Sequence, residues 1–180
     1  MDDALLIAGC REGKDDAFEA LVNKYQVSIL SMAWSLLGNK EDAQDAAQGA
    51  FLAAFSKLDS FDASRSFKTW LFAIAWKDCL DMKRKEKSRR KYLTQAIATM
   101  PGDTPPPRMN DPIEECDTFR PVLKKLEAKE RTALSLRINE GFTAAEIADV
   151  LGCAESSARV YVFNAIRKIR KIWKEGNAHV

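Results

Sequence analysis

The side chains most often used in catalysis are sparse in this 180-residue chain. Its only histidine, His179, is the penultimate residue, which removes most routes to histidine-dependent acid–base or nucleophilic chemistry. No two cysteines stand at the spacing of zinc sites, and we expect free thiols at Cys10, Cys79, Cys116 and Cys153. Neighbouring acids such as Asp42 and Asp45 have no phosphate-binding glycine loop or nucleophile motif beside them. An enzyme is therefore the weaker interpretation, and reversible binding through charged and aromatic side chains is favoured.

Charge is distributed unevenly along a chain whose formal net charge is only +2. Residues 1–60 carry five basic and ten acidic side chains, whereas residues 61–91 carry ten basic and four acidic ones. The run 83–91 holds seven basic residues and one acid, a density that is costly through self-repulsion unless an anion lies near. A solvated helix face is the alternative explanation of such a run. The asymmetry as a whole favours a protein that contacts both nucleic acid and a basic protein surface.

Proline marks a boundary between two parts of the chain. Five of the six prolines lie between positions 101 and 112, in a segment that lacks helical donors and favours extended backbone. We therefore predict a linker at 94–115 between two small domains, 1–93 and 116–176, and expect the two to be loosely joined. No run of about 18 apolar residues occurs and the N-terminus is acidic, so we expect neither export nor membrane insertion.

Apolar residues recur three and four positions apart along most of the chain, which is the helical period. One stripe runs over 18–36 and should end at Gly38, a second runs over 43–58, and a third begins at Phe67. Strand signals, such as alternating β-branched residues before a two-residue turn, are absent. The sequence therefore predicts an all-α fold with two small helical domains.

A helix-turn-helix is predicted over 141–171. Thr143 and Glu146 form a capping box at the start of its first helix, and Gly152 can take the positive φ that ends it. The predicted buried stripe of the second helix consists of Ala158, Val162, Ile166 and Ile169. The face left exposed, which could enter a major groove, carries Ser156, Ser157, Arg159, Val160, Phe163, Asn164 and Arg167. Considered without the rest of the chain, residues 141–171 could instead form an antiparallel pair of amphipathic helices that does not bind DNA.

Three stretches in a fixed order carry a resemblance to a known family. They are EDAQDAAQGAFLAAFSKLDSFD (41–62), SFKTWLFAIAWKDCLDMKR (66–84) and LEAKERTALSLRINEGFTAAEIADVLG (126–152). In that order they resemble the polymerase-binding helix, the promoter-melting helix and the C-terminal domain of the extracytoplasmic-function (ECF) sigma factors of bacterial RNA polymerase. The similarity covers about 5–172, and three ordered motifs are more specific than any one of them.

The resemblance implies a role for each predicted domain. Residues 1–93 would form a sigma region 2-like domain that binds polymerase and recognises and melts the minus-ten promoter element. Residues 116–176 would form a region 4-like helix-turn-helix domain that recognises the minus-thirty-five element through the exposed face described above. The positions that match the family's polymerase-binding motif are Glu41, Asp42, Asp45, Gln48 and Phe51. Their carboxylates could pair with basic residues of the polymerase clamp helices, although acids at a helix start also offset its dipole.

The same resemblance places the minus-ten contacts at Lys57, Phe61, Ile74, Lys77, Lys83 and Arg84. Captured bases need aromatic and apolar walls together with cations for the backbone. Lys77 stands where the family usually has asparagine, and lysine offers donors without an acceptor, so we expect an altered base preference. In the recognition helix Tyr161 and Asn164 stand where the family frequently has arginines. This predicts weaker binding to DNA phosphates and an unusual preference among minus-thirty-five sequences.

The partners implied are core RNA polymerase, through its clamp helices and flap, promoter DNA and an anti-sigma factor. The resemblance further implies a cytoplasmic protein that needs no cofactor and no metal. A free-standing helix-turn-helix regulator is the alternative, and it would bind duplex DNA tightly without polymerase, usually as a dimer. No dimerisation helix is evident in the sequence, which favours the sigma factor.

Overall fold

The computed structural model describes residues 2–98 and 125–177, which are helical with no strand in either range. The all-α prediction is confirmed. The α-helices are α1 (Asp3–Arg11), α2 (Asp15–Leu37), α3 (Lys40–Ser56), α4 (Phe67–Ala98), α5 (Ala128–Asn139), α6 (Ala144–Leu151) and α7 (Glu155–Asn177), with a 3-10 turn at Leu58–Ser60. Positions 94–98 of the predicted linker belong to α4, and the rest of the linker lies outside the described residues.

Helices α1 to α4 form the N-terminal half. Gly38 ends α2 with a φ of 82°, as predicted, and its N–H donates to Trp34 O at 3.0 Å. Asn39 then caps α3, because its side-chain oxygen accepts the Asp42 N–H at 2.7 Å. The face of α3 that packs on α2 and α4 is built from small residues, Ala43, Ala46, Ala47, Ala50 and Ala54, all of them buried. Such residues let the three helices approach closely.

Helices α5 to α7 form the C-terminal half, in which the predicted corner is confirmed. Thr143 Oγ1 accepts the Glu146 N–H at 3.3 Å, and the Glu146 carboxylate accepts the Thr143 N–H at 2.8 Å. Gly152 ends α6 in the left-handed region with a φ of 61°. The capping box and this glycine fix where α6 begins and ends, and therefore set the point at which α7 starts.

The buried stripe of α7 differs from the predicted one. Ala158 and Ala165 are fully buried, whereas Ile166 is 37% exposed, so the assignment of Ile166 to the core is wrong. Two alanines seven positions apart lie on one face two turns apart, and they bring α7 close to its neighbours. Because α7 packs through Ala158 and Ala165, Ile166 points away from the core.

The two halves pack against each other instead of being loosely joined. Phe72 of α4 and Phe142, in the turn between α5 and α6, are both buried, and their rings meet edge to face at 5.2 Å. Lys68 covers this contact: its Nζ lies 4.8 Å from the Phe142 ring centroid and 2.9 Å from the Glu140 carboxylate. Core residues of the two halves therefore form one continuous cluster.

Within the C-terminal half, the buried carboxylate of Glu130 ties α5 to α7. Lys168 Nζ donates to its two oxygens at 2.8 and 2.6 Å, and the Glu127 N–H donates to it at 3.0 Å. Burial raises the pKa of Glu130, but the hydrogen bonds and the charge of Lys168 outweigh burial and hold the pKa below its usual 4.5. The ionised form is therefore the one that the fold favours.

We expect Glu130→Ala to lower the free energy of unfolding at neutral pH by roughly 1.5–3 kcal/mol, the usual contribution of charge-assisted hydrogen bonds. Lys168 is partly exposed, so its ammonium can recover water when the carboxylate is removed. Because the folded pKa is depressed, this stability is present above the usual value of 4.5 and is lost as the pH falls through the folded pKa.

Denaturant unfolding of the wild type and Glu130→Ala at neutral and acid pH checks this expectation. The difference between the two proteins should narrow as the pH is lowered. A difference that persisted unchanged into acid would show that lost packing, and not the ionised carboxylate, explains the effect.

Candidate nucleic-acid interface

The outward face of α7 carries most of the predicted minus-thirty-five residues. The five exposed ones are Ser156, Arg159, Val160, Phe163 and Arg167. The other two, Ser157 and Asn164, are half-buried. Phe163 is 64% exposed, which is unusual for a large aromatic side chain unless a partner covers it. The Arg159 guanidinium is held by Glu155 at 2.5 Å, and phosphate could displace that exposed carboxylate. Aromatic surface flanked by cations suits a major groove with thymine methyl groups.

Tyr161 does not lie on this face. It is half-buried against the core, and Lys129 Nζ from α5 lies 5.7 Å from its ring centroid. The residue that replaces a frequent arginine therefore packs α7 onto α5. Packed in this way, Tyr161 offers no cation to DNA phosphate, and the weaker phosphate contact expected at this position stays a prediction.

A second candidate surface lies on α4. Ile74 is half-buried and Lys77 is exposed one turn further along the same face. Phe61 is buried, with its ring 4.8 Å from that of the half-buried Trp70 and edge-on to Phe67 at 5.6 Å. Phe61 thus supports the surface from beneath, whereas Trp70, Ile74 and Lys77 reach solvent. This combination of aromatic, apolar and cationic groups suits unstacked bases.

The remaining predicted minus-ten cations are placed differently from one another. Lys57 at the end of α3 and Arg84 are exposed. Lys83 Nζ donates to Leu36 O at 2.9 Å, at the C-terminal end of α2, beside Arg131 from α5. Desolvation and then the charge of Arg131 hold the pKa of Lys83 below its usual value. The Lys83 ammonium is therefore already hydrogen-bonded within the protein, although its side chain is otherwise exposed. The Lys57 ammonium and the Arg84 guanidinium, which pairs with the Asp81 carboxylate at 3.0 Å, can reach DNA.

A third surface runs along α3 opposite its alanines. Of the predicted polymerase contacts, Glu41, Asp45 and Gln48 are exposed, Asp42 is half-buried and Phe51 is buried. Asp42 is hydrogen-bonded to Asn39 twice: its N–H donates to Asn39 Oδ1, and its carboxylate accepts from Asn39 Nδ2. Phe51, only 8% exposed, is part of the core.

Sequence reasoning missed two residues of this surface. Leu52 is 61% exposed and Phe55 is 51% exposed, and both continue the line of Asp45 and Gln48 at helical spacing. Their positions relative to the alanine stripe could have identified them, since a helix that packs through one face presents the opposite residues to solvent. We refer to Asp45, Gln48, Leu52 and Phe55 as the α3 stripe.

Two observations concern metal ions and thiols in the described part of the chain. No group of three or more histidine, cysteine, aspartate or glutamate side chains is placed to hold a metal ion within residues 2–98 and 125–177. Burial raises the pKa of the Cys10 thiol and, with Asp78 nearby, raises that of Cys79 to about 12, so both thiols stay protonated. Nor does any helix in these ranges combine the length and apolarity needed to cross a bilayer.

Two family models match the chain, one to each half. Residues 21–89 match Sigma-70 region 2, and residues 119–169 match Sigma-70, region 4. The first range contains the α3 stripe and the α4 surface, and the second covers the helix-turn-helix up to residue 169 of α7. The order of the matches is the order of the motifs along the sequence.

Similarity to individual proteins extends over most of the chain. The ECF RNA polymerase sigma factor SigW of Bacillus subtilis is 30% identical over 171 residues, which cover 89% of this chain and 91% of SigW. The RNA polymerase sigma-H factor of Pseudomonas aeruginosa is 31% identical over 180 residues, covering 94% of this chain and 92% of that protein. Identity at this level over nearly full length indicates shared ancestry of both halves and of the segment between them.

Two solved structures share the fold. CnrH, solved in complex with the cytosolic domain of CnrY, has a TM-score of 0.70 at 25% identity, covering 96% of this chain and 97% of that one. The sigma factor RpoE from Bartonella quintana, solved with the anti-sigma factor NepR, has a TM-score of 0.67 at 23% identity, covering 87% and 96%. Sequence, family models and architecture agree, and this chain belongs to the ECF sigma factors of RNA polymerase.

Proposed function

We propose that this sigma factor works through the three exposed surfaces described above. The α3 stripe binds core RNA polymerase, the α4 surface captures the melted minus-ten element, and α7 reads the minus-thirty-five element in duplex DNA. The observation that carries the proposal is the outward face of α7, where Phe163 is 64% exposed beside Arg159 on the second helix of a capped helix-turn-helix. Binding accounts for every step of this role, which needs no active site of its own.

The proposal extends to domain boundaries and partners. We assign 1–93 and 116–176 to the region 2-like and region 4-like domains, with 94–115, whose first five residues continue α4, as the linker. CnrH was solved with the cytosolic domain of CnrY and RpoE with an anti-sigma factor, and an anti-sigma factor could cover the exposed Leu52 and Phe55 here. Such a protein would act in the cytoplasm, where the polymerase works.

Engaging both promoter elements requires the two halves to separate. The elements lie about 25 base pairs apart, or roughly 85 Å at about 3.4 Å per base pair. A compact body of this chain length has a radius of gyration of about 16 Å. Its two DNA-binding faces cannot be that far apart while Phe72 and Phe142 remain in contact. Polymerase would bind each half at a separate site, and this binding would compensate for the lost contact between the halves.

Co-elution of the purified protein with bacterial core RNA polymerase on a sizing column tests the proposed function. We expect a stoichiometric complex, because the α3 stripe offers apolar area flanked by acids. Absence of the protein from the polymerase peak, with the protein folded and monomeric, would contradict the proposal. Tight duplex binding without polymerase would then favour the free-standing regulator.

For the minus-thirty-five surface, we expect Arg159→Ala and Phe163→Ala to reduce transcription from a responsive promoter about 5- to 150-fold each, corresponding to roughly 1–3 kcal/mol of lost base readout. Non-specific duplex affinity should fall much less, since it depends on many phosphate contacts. Run-off transcription and binding to unrelated DNA measure the two quantities. Ile138→Ala is the matched control, because Ile138 is an exposed apolar residue of α5 and not of the recognition helix. Equal losses in both measurements would show that Arg159 and Phe163 contact DNA without reading its sequence.

A further inference from the structure

Arg11, the last residue of α1, reaches across to the segment that precedes α4. Its Nη2 donates to Leu58 O at 3.0 Å and to Phe61 O at 2.6 Å, and its Nε approaches Leu58 O at 3.4 Å. These partners are 47 and 50 residues away in sequence. One guanidinium therefore bridges two backbone carbonyls of a single turn.

Besides Arg11, the buried side chains of Leu58 and Phe61 anchor this turn, and its backbone hydrogen bonds are local. Leu58–Ser60 is a single 3-10 turn, and the residues that follow Phe61, 62–66, are all exposed. Bonds within that stretch are local, such as Arg65 N–H to Asp62 O at 3.0 Å. Exposed segments of this kind order poorly unless longer-range contacts fix them. Arg11 and the buried ring of Phe61 supply such contacts.

The position of Phe61 matters because it supports the α4 surface. Its ring lies 4.8 Å from Trp70, on the face that continues to Ile74 and Lys77. If the backbone at Leu58 and Phe61 were free to move, the ring would no longer be held against Trp70. Each base captured on this surface would then also have to order the turn, which weakens binding.

We infer that Arg11 is a positioning residue for the capture of unpaired promoter bases, and this role rests on the proposed function. It contacts no base itself, and it acts by holding the turn 58–61 beneath Trp70. The alternative is that Arg11 merely offsets the dipole of α1, since it lies in the last turn of that helix. A lysine would serve the dipole equally well, but it has no planar fork to bridge two carbonyls. Arg11→Lys therefore separates the two roles.

The test uses full-length protein assembled with core polymerase. The probes are forked DNAs whose unpaired strand carries each of the four bases in turn at the minus-ten positions, together with a fully duplex version. For Arg11→Gln and Arg11→Lys we expect about tenfold weaker binding of the preferred fork and a flattened base preference. Binding to core polymerase and to duplex DNA should match the wild type. Arg65→Gln is the matched control, because Arg65 lies in the same exposed stretch without bridging two carbonyls.

The outcomes are distinguishable. Wild-type base preference in Arg11→Lys would overturn the positioning role and assign Arg11 to the helix dipole. Equal weakening on forks and duplexes, or reduced polymerase binding, would assign it to general stability, and circular dichroism checks the fold of each variant. If wild-type holoenzyme did not prefer forked DNA over duplex, the proposed function of the α4 surface would fail, and the role of Arg11 with it.

Discussion

Replacing Phe142 by alanine is expected to cost about 3–5 kcal/mol and to separate the two halves of the protein. The ring is only 3% exposed, meets Phe72 edge to face and lies beneath Lys68. Truncation leaves a cavity at the junction, so the contacts that remain there, such as Arg131 Nη1 to Ser35 O at 2.6 Å and Lys68 to Glu140 at 2.9 Å, hold the halves together more weakly. Small-angle scattering should show a larger radius of gyration, while circular dichroism retains most of the helical signal.

Phe163→Ala is the matched control for this experiment, since the same atoms are removed from an exposed position. It should leave both the radius of gyration and the unfolding free energy near wild-type values. Loss of helical signal in Phe142→Ala without expansion would show that Phe142 stabilises the helix-turn-helix itself more than the junction. Unchanged stability and size would contradict the role of the Phe72–Phe142 contact altogether.

Separation has a functional consequence. If the closed arrangement must open before both promoter elements can be bound, Phe142→Ala removes part of that cost in advance. A variant that stays folded should then bind core polymerase at least as tightly as the wild type, because less binding energy is used to break the junction. The co-elution assay, run as a titration, measures this difference.

Replacing Phe55 by alanine is expected to weaken core polymerase binding at least about 30-fold, the effect of losing an interface hot spot of about 2 kcal/mol. The ring is half exposed on the α3 stripe, one turn beyond Leu52 and about two turns beyond Gln48, so a partner can bury it. The Phe55 ring also contacts the Phe18 ring of α2 at 4.7 Å, so we expect a small loss of stability beside the larger loss of binding. The double variant Asp45→Ala with Gln48→Ala should weaken the same binding without changing helicity.

Phe51→Ala provides the contrast within one helix. Phe51 is 8% exposed and Phe55 is 51% exposed, so the same substitution acts on the core in one case and on the surface in the other. We expect Phe51→Ala to lower the unfolding free energy by about 3–5 kcal/mol. Any loss of polymerase binding in Phe51→Ala should follow from that lower stability. If Phe55→Ala instead lowered stability and spared binding, the α3 stripe would not be the docking surface.

The local structure of this protein follows from short-range patterns in its sequence. The capping box of Thr143 and Glu146 and the glycines at positions 38 and 152 fix where helices begin and end, because backbone hydrogen bonds and left-handed φ angles depend on nearby residues. The alanine face of α3 and the exposed α7 residues follow from the 3.6-residue period. These patterns, together with three ordered motifs, were sufficient to indicate the ECF family.

Only the tertiary structure decided which side chains are free to bind a partner. Phe51 and Phe55 are the same residue type four positions apart, and burial against α2 and α4 distinguishes them. Lys83 and Arg84 look equivalent within one basic run, yet Lys83 caps the end of α2 from 47 residues away. The contact of Phe72 with Phe142 and the bridge from Arg11 to Leu58 and Phe61 are likewise invisible to any periodic pattern. Each joins residues that are distant in sequence, and such contacts depend on how the helices pack together.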